Sequence, residues 1–411
     1  MTERKTISHS QTQQPAPIAV VGAGLVGLMA ARRLADLAQA RGETVALIAP
    51  KAPSGDKRTT AMLMPTIRVL EDMALWEDVQ PQCAPLKTMR LVDGSNRLIR
   101  APLVDFRASE LDLEAFGYNV PNDKMVTLLE DSLQNHPALV RVDATLESVQ
   151  CHDDHVELRL SDGSALDCKL LVAADGRHST AREAALITCR TWSYPQSAIV
   201  LTFQHTQSHH DVSSEFHTET GPFTQVPLPP QPGAAHRSSL VWVVRPQDVD
   251  AIMAMDPDAL ALQIETKMQS HLGRITVEGK PQVYQLSGMT ARSFAQNRVA
   301  LIGEAGHVFP PIGAQGFNLG VRDVEALVGC LKKASGDPGS PSILAAYSRR
   351  RIADVALRTG GVDVMNRSLL SDFLPVQAAR ALTIGALGNI SWLRRIAMKQ
   401  GLGASSMVGV R

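Results

Sequence analysis

The stretch from Pro17 to Pro50, PIAVVGAGLVGLMAARRLADLAQARGETVALIAP, leaves the chain few folds to choose from. Ile18 to Val21 is a short apolar run, and Gly22, Gly24 and Gly27 follow it in GxGxxG spacing. Leu28, Ala31, Leu34, Ala35 and Ala38 then recur at helical intervals, Gly42 closes the helix, and Val45 to Ile48 reads as a second strand. Strand, glycine turn, helix and strand make a βαβ unit, which places the chain in the α/β class. Each glycine has its own reason. Gly22 permits a tight turn, Gly24 lets the backbone approach a pyrophosphate, and Gly27 lets the helix pack closely on the strand. The spacing alone is weak; between a strand and a helix it acquires meaning, because the helix start offers free N–H groups to an anion. The acid that usually ends the second strand and binds a ribose hydroxyl is absent: Ala49, Pro50 and Lys51 stand there.

Two later blocks carry similar chemistry. Asp175 and Gly176 follow the apolar run LLVAA, and Thr180 with Glu183 has the spacing of a capping box. Arg182 suits a phosphate or an acid there, and equally an ordinary surface turn. The second block, LIGEAGHVFPPIGAQGFNLGVRDVEALVGCL, spans Leu301 to Leu331. A strand over Val299–Ile302 leads to Glu304, and Gly313, Gly316 and Gly320 surround Asn318, where a helix is expected to begin. An acid after a strand can hold a hydroxyl, and a helix start can hold an anion. His307 reads as a hydrogen-bonded structural residue.

Composition excludes several classes. Lys+Arg and Asp+Glu are both 41 in 411 residues, so no strong field favours nucleic acid, and aromatics at 4% argue against base-stacking platforms. The five cysteines (Cys83, Cys151, Cys168, Cys189, Cys330) are scattered without CxxC, which predicts buried thiols in a reducing compartment. The N-terminal MTERKTISHSQTQQPAP is polar, without the apolar core of a signal peptide, and no apolar run has the length to span a bilayer. A cytoplasmic protein, or one peripheral to the inner face of a membrane, is expected. His205, His209, His210 and His217 lack the context of a metal site, and no metal is expected. No GxSxG elbow supports a serine nucleophile. Near the end, LPVQAARALTIGALGNISWLRRIAMKQGLG pairs an apolar face with Arg394, Arg395 and Lys399, as a helix packed on the body or one meeting a membrane surface.

Taken together, GxGxxG near the start, a DG block mid-chain and an acid-bearing glycine block near residue 300 resemble the flavoprotein aromatic hydroxylases, the group that includes p-hydroxybenzoate hydroxylase. More narrowly, DKRTTAMLMPTIRVLEDMALWEDV, FGYNVPN, SLVW and GEAGHVFPPIGAQGFNLGVRDVEAL resemble the UbiH/UbiF-type ubiquinone-biosynthesis hydroxylases, over about residues 17 to 400. The resemblance implies FAD as cofactor, with Gly22, Gly24 and Gly27 at its pyrophosphate and Arg58, in Asp56-Lys57-Arg58, at a phosphate. It implies Asn122 beside the cofactor, Asp175 linked to FAD and NAD(P)H, and Glu304, where the family has aspartate, on the ribitol chain. Gly313, Gly316 and Asn318 would put a helix start against the N1–C2 carbonyl region of the flavin, which is anionic when reduced.

The implied fold is a Rossmann-like FAD-binding domain from residues 17–85, 111–185 and 286–340, with an inserted mixed β-sheet substrate domain (86–110 and 186–285). A helical C-terminal region (341–411) and an N-terminal flexible tail (1–16) complete it. The implied activity is hydroxylation of the aromatic ring of a polyprenylated phenol or quinol in ubiquinone biosynthesis. NAD(P)H, a co-substrate without its own GxGxxG, reduces FAD; reduced FAD and O2 give a C4a-hydroperoxide, and the electron-rich ring takes its distal oxygen. No catalytic side chain is expected, because the flavin drives the chemistry. The implied partners are the polyprenylated phenol, a ubiquinone-biosynthesis protein assembly and a membrane surface, with no nucleic acid. Two other readings stand beside this one: a hydroxylase of another aromatic compound on the same fold, and a non-catalytic lipid-binding or scaffold subunit.

Overall fold

The computed structural model describes residues 16–50, 58–95, 100–309, 315–334, 336–370 and 374–402. Its centre is a six-stranded sheet in the order Ala295–Gln296, Val299–Leu301, Leu170–Ala173, Ile18–Val21, Val45–Ile48, Leu139–Val142. All neighbours pair in parallel except the short edge strand Ala295–Gln296. The four residues of Ile18–Val21, of Val45–Ile48 and of Leu170–Ala173 are all buried, as expected where both faces of a parallel sheet are covered. Ile18 and Val20 face one core, and Ala19 and Val21 face the other. On the first face lies helix Leu25–Gln39, which buries Leu28, Ala31, Leu34, Ala35 and Ala38, the residues its spacing picked out. Helices Asn122–Gln134 and Gln315–Lys333 flank it. The second face is covered by the antiparallel strands Leu146–Cys151, Val156–Leu160 and Ala165–Cys168, which bury Val156, Leu158 and Leu160 against it.

A second, eight-stranded sheet holds Thr88–Asp93, Val104–Arg107 and the strands between Cys189 and Ala291, closed at one edge by His307–Val308. The residue 285/286 boundary expected from sequence falls inside its long strand Ile275–Ala291. One face packs on helix Pro257–Lys267 through Phe203, Phe223, Trp242 and Ile264. A small sheet of Thr59–Leu63, Gly117–Pro121 and Ala84–Pro85 packs beside the eight-stranded one. Asn119 ties it to the eight-stranded sheet, donating its side-chain amide to the Pro227 carbonyl at 2.9 Å.

From Pro341 the described residues form helices Pro341–Leu370, Leu374–Asn389 and Ser391–Leu402. The first is bolted to the central sheet by the buried Tyr347, whose hydroxyl donates to the Leu301 carbonyl at 2.6 Å. The last buries Met398 and Leu402 against Leu63 and Phe116. Among the described residues no helix is long and apolar enough to cross a membrane.

Candidate cofactor-binding site

Because Ile18–Val21, Leu170–Ala173 and Val299–Leu301 are adjacent and parallel, the residues that follow them emerge at one edge of the sheet. This is why Gly22, Asp175 and Glu304, far apart in sequence, line a single cleft. The strand order also turns back beside Ile18–Val21, and open α/β sheets bind ligands at such a switch point. The cleft measures about 1710 Å³ and is lined by Gly22, Gly24, Gly27, Arg58, Asn122, Asp175, Glu304 and Gly316. That exceeds the roughly 300–1,000 Å³ of ordinary small-molecule pockets and suits an extended dinucleotide.

The three glycines do three different things. Gly22 has φ +102° and donates its N–H to the Ile48 carbonyl at 3.0 Å; a Cβ there would overlap the Ala174 carbonyl oxygen. A Cβ on Gly27 would overlap the Gly22 carbonyl oxygen, so this helix lies against the turn with no room for a side chain. Gly24 is the N-cap of Leu25–Gln39, has φ −68°, and would place a Cβ with no atom within 4 Å. It faces open cleft. No side chain caps this helix start, so its first N–H groups are left for an anion.

Asp175 accepts the Ala181 N–H on Oδ2 at 3.2 Å, while Oδ1 is buried with no partner among the described residues. A buried carboxylate oxygen without a donor is costly, and a ligand hydroxyl or N–H would satisfy it. Asn122 opens helix Asn122–Gln134; its N–H donates to the Arg58 carbonyl (3.0 Å) and its Oδ1 accepts the Thr60 hydroxyl (2.7 Å). Arg58 and Asn122 are thereby joined at the cleft wall. Glu304 is exposed to the cleft on the short 3-10 turn Gly303–Ala305. Gly303, with φ +57°, and Gly320 both pack against Val26 in the first turn of Leu25–Gln39, holding the Glu304 turn on the glycine motif.

The helix expected at Asn318 begins earlier, at Gln315, so Gly316 and Asn318 both lie in its first turn. Gly316 lines the cleft, but the Asn318 side chain does not. It is buried, accepts the Leu63 N–H and the Thr66 hydroxyl (both 2.8 Å), and donates to the Ala61 carbonyl (2.8 Å). Asn318 therefore fixes strand Thr59–Leu63 to the helix start. Gly313, Asp56 and Lys57 lie outside the described residues.

Other details differ from the sequence reading. Ser179, not Thr180, caps helix Thr180–Ala184, its hydroxyl accepting the Arg182 N–H at 2.9 Å. Arg182 is neither at the surface nor on a phosphate: it is buried and donates to the Ala305 and Arg177 carbonyls (both 3.0 Å). It buckles the Asp175 loop to the Glu304 turn. The arrangement that sequence reasoning missed is the buried set His307, Asp323 and Arg351. Asp323 is fully buried; its Oδ2 accepts the Gly303 N–H (2.8 Å) and pairs with His307 Nε2 (2.7 Å), and its Oδ1 accepts Arg351 Nε (2.6 Å). Arg351 also bonds Asp354, which Arg322 grips with two nitrogens at 2.8 Å. Burial pushes the Asp354 carboxyl up, but the facing Arg322 and Arg351 outweigh it and hold it well below the usual carboxylate range. The Arg322-Asp323 pair inside the final motif was the signal available for this network.

The residues present fit FAD: an open glycine at an uncapped helix start, a buried acceptor without a donor, and an exposed acid along one long cleft. The family described as FAD binding domain matches residues 15–358. The chain is 33% identical to the ubiquinone hydroxylase UbiL of Rhodospirillum rubrum, covering 94% of this chain and 90% of that protein. It is 31% identical to the 3-demethoxyubiquinol 3-hydroxylase of Escherichia coli, covering 95% of this chain and 100% of that protein. In fold it matches p-nitrophenol 4-monooxygenase PnpA of Pseudomonas putida with a TM-score of 0.75, at 19% identity over 94% of this chain and 98% of that one. PqsL of Pseudomonas aeruginosa, titled a probable FAD-dependent monooxygenase, superposes with a TM-score of 0.73, at 20% identity over 90% of this chain and 99% of that one. A domain match across most of the chain and full-length relatives above 30% identity lead to one conclusion: this protein belongs to the FAD-dependent aromatic hydroxylases, in the family that contains the ubiquinone hydroxylases.

Proposed function

We propose that this enzyme, with FAD in the cleft and NAD(P)H as reductant, hydroxylates the ring of a polyprenylated phenol or quinol in ubiquinone biosynthesis. The observation that carries the reading is the convergence of Gly22, Asp175 and Glu304 on one cleft, in a chain whose near full-length relatives are named as ubiquinone hydroxylases. FAD supplies the redox chemistry and the activation of O2. The chain binds and shields. The start of Leu25–Gln39 takes the pyrophosphate, Glu304 takes ribitol hydroxyls, and the start of Gln315–Lys333 stabilises negative charge on the reduced ring. The eight-stranded sheet serves as the substrate domain.

The substrate's prenyl tail calls for a contact with the membrane surface. Trp392 is 63% exposed and Ile396 45%, one turn apart on Ser391–Leu402, with exposed Lys399 on the same side and Leu382 75% exposed nearby in sequence. Arg394 and Arg395 serve otherwise. Arg394 bonds the Glu110 carboxylate at 2.8 Å and Arg395 the Glu110 carbonyl at 2.7 Å, docking the helix on the body. The membrane reading therefore rests on the outward apolar pair and Lys399.

The test supplies the FAD-loaded enzyme with NADH or NADPH, O2 and a short-tailed prenyl phenol. NAD(P)H oxidation stimulated by the phenol, with one atom of ¹⁸O₂ in the product by mass spectrometry, is expected. Conversion of simple phenols alone would favour another aromatic substrate. A protein that remains colourless after FAD addition would favour a non-catalytic subunit.

A further inference from the structure

The second strand of the central sheet ends in Ala49, which is buried and carries no carboxylate for a ribose. The neighbouring strand Leu139–Val142 fills that place differently. Arg141 pairs in register with Leu47, and its Nη2 donates to the Pro50 carbonyl at 3.3 Å, at the point where the second strand has ended. The same guanidinium donates from Nη1 to Glu130 Oε2 (2.9 Å) and from Nε to Asp143 Oδ1 (3.2 Å). Glu130 lies on helix Asn122–Gln134, on the side that also gives Asp123, Val126 and Thr127 to the cleft wall. Its second oxygen, Oε1, is buried and has no hydrogen-bond partner among the described residues.

An ionised carboxylate only accepts hydrogen bonds, and an oxygen withdrawn from water without a donor is unfavourable. The cleft is where a donor would arrive. A vicinal diol offers two hydroxyls to one carboxylate, and Arg141 holds the Glu130 carboxylate by its other oxygen at the cleft wall. Asp143 is the weaker candidate: its side chain is 54% exposed against 29% for Glu130, so water already serves it.

We infer that Glu130, positioned by Arg141, accepts the hydroxyls of the adenosine ribose of FAD and replaces the acid missing at Ala49. The inference rests on the placement of FAD in this cleft.

The test is a fluorescence titration of apoprotein with FAD and with an FAD analogue whose adenosine lacks both ribose hydroxyls. The parent binds FAD about 10- to 100-fold more tightly than the analogue, the range for hydrogen bonds to a charged group. Glu130→Ala binds the two with equal affinity, Asp143→Asn keeps the parent's discrimination, and FMN, which has no adenosine, binds parent and Glu130→Ala alike. Where Glu130→Ala does not fold, Glu130→Gln carries the same comparison, and its discrimination falls. Undiminished discrimination in the Glu130 variant, or its loss in Asp143→Asn instead, overturns the assignment. Gly24→Val separates the two levels. If it abolishes FAD binding while the Glu130 variant still discriminates, only the ribose assignment fails; if it binds FAD as the parent does, the placement of FAD fails and the ribose assignment with it.

Discussion

The three glycines of the first motif should respond differently to a side chain, and the differences follow from their surroundings. At Gly22, alanine must adopt φ +102°, in a region that costs about 1–3 kcal/mol. Its Cβ also overlaps a backbone oxygen of the neighbouring strand, and overpacking of that kind adds about 1–3 kcal/mol. Gly22→Ala should therefore lose about 2–6 kcal/mol of apoprotein stability. Gly27→Ala, with an ordinary φ but the same overlap, should lose the overpacking part alone. Gly24→Val should lose about 1 kcal/mol or less, because its φ suits any residue and only the mild preference for glycine at an N-cap is given up. Its effect falls on the ligand. A side chain standing before the helix start displaces the pyrophosphate from at least two N–H groups, each worth about 1.5–3 kcal/mol to a charged acceptor. FAD affinity should drop about 10²- to 10⁴-fold. Urea unfolding of the apoproteins and FAD titration measure the two effects separately. Parent-like FAD affinity in Gly24→Val, or parent-like stability in Gly22→Ala, would refute the reasoning.

Glu304→Ala should weaken FAD binding by about 1.5–3 kcal/mol, and Glu304→Asp should keep or improve it; equal affinity in all three proteins removes Glu304 from the site. Asp323→Asn takes the charge from a fully buried partner of Arg351 and should cost about 3–5 kcal/mol in urea unfolding, a loss whose absence would discount the network. Asp354 has a depressed carboxyl pKa, so its contribution is complete above the ordinary carboxylate range and fades as pH falls through the depressed value. The melting temperatures of parent and Asp354→Asn should thus lie furthest apart near neutral pH and converge in strong acid; a gap that widens with acid contradicts the sign. Trp392→Ser with Ile396→Ser should reduce flotation on anionic vesicles without lowering the melting temperature, and unchanged flotation would remove this helix face from membrane contact.

What the sequence made legible was periodic or local. The βαβ unit could be read because the strand, glycine and helix signals lie within one short window, and its helix buries the residues the spacing picked out. Asp175 and Glu304 could be placed after strands for the same reason. Arg182 shows where local reading fails: it sits in a motif that suggests a phosphate or the surface, yet it is buried and donates to the distant Ala305 carbonyl, which only the tertiary fold brings near. The Asp323–Arg351 contact joins two helices, and no periodicity marks which arginine of Arg349, Arg350 and Arg351 turns inward. The substitution at Ala49 was visible, but its replacement was not, because Arg141, with Glu130 on it, reaches the end of the second strand only through the pairing of Val45–Ile48 with Leu139–Val142.

The parallel order of the central sheet also sets a schedule for synthesis. The cleft draws one wall from a strand near the start of the chain and another from Val299–Leu301, so a chain leaving the ribosome carries its glycine motif long before Glu304 exists. Until that last strand docks beside Leu170–Ala173, the nascent sheet has an open edge and the helix start has half a ligand site. On the proposed placement, FAD joins the chain's beginning to its distant end, so by mass action added flavin should raise the yield of folded, newly made enzyme.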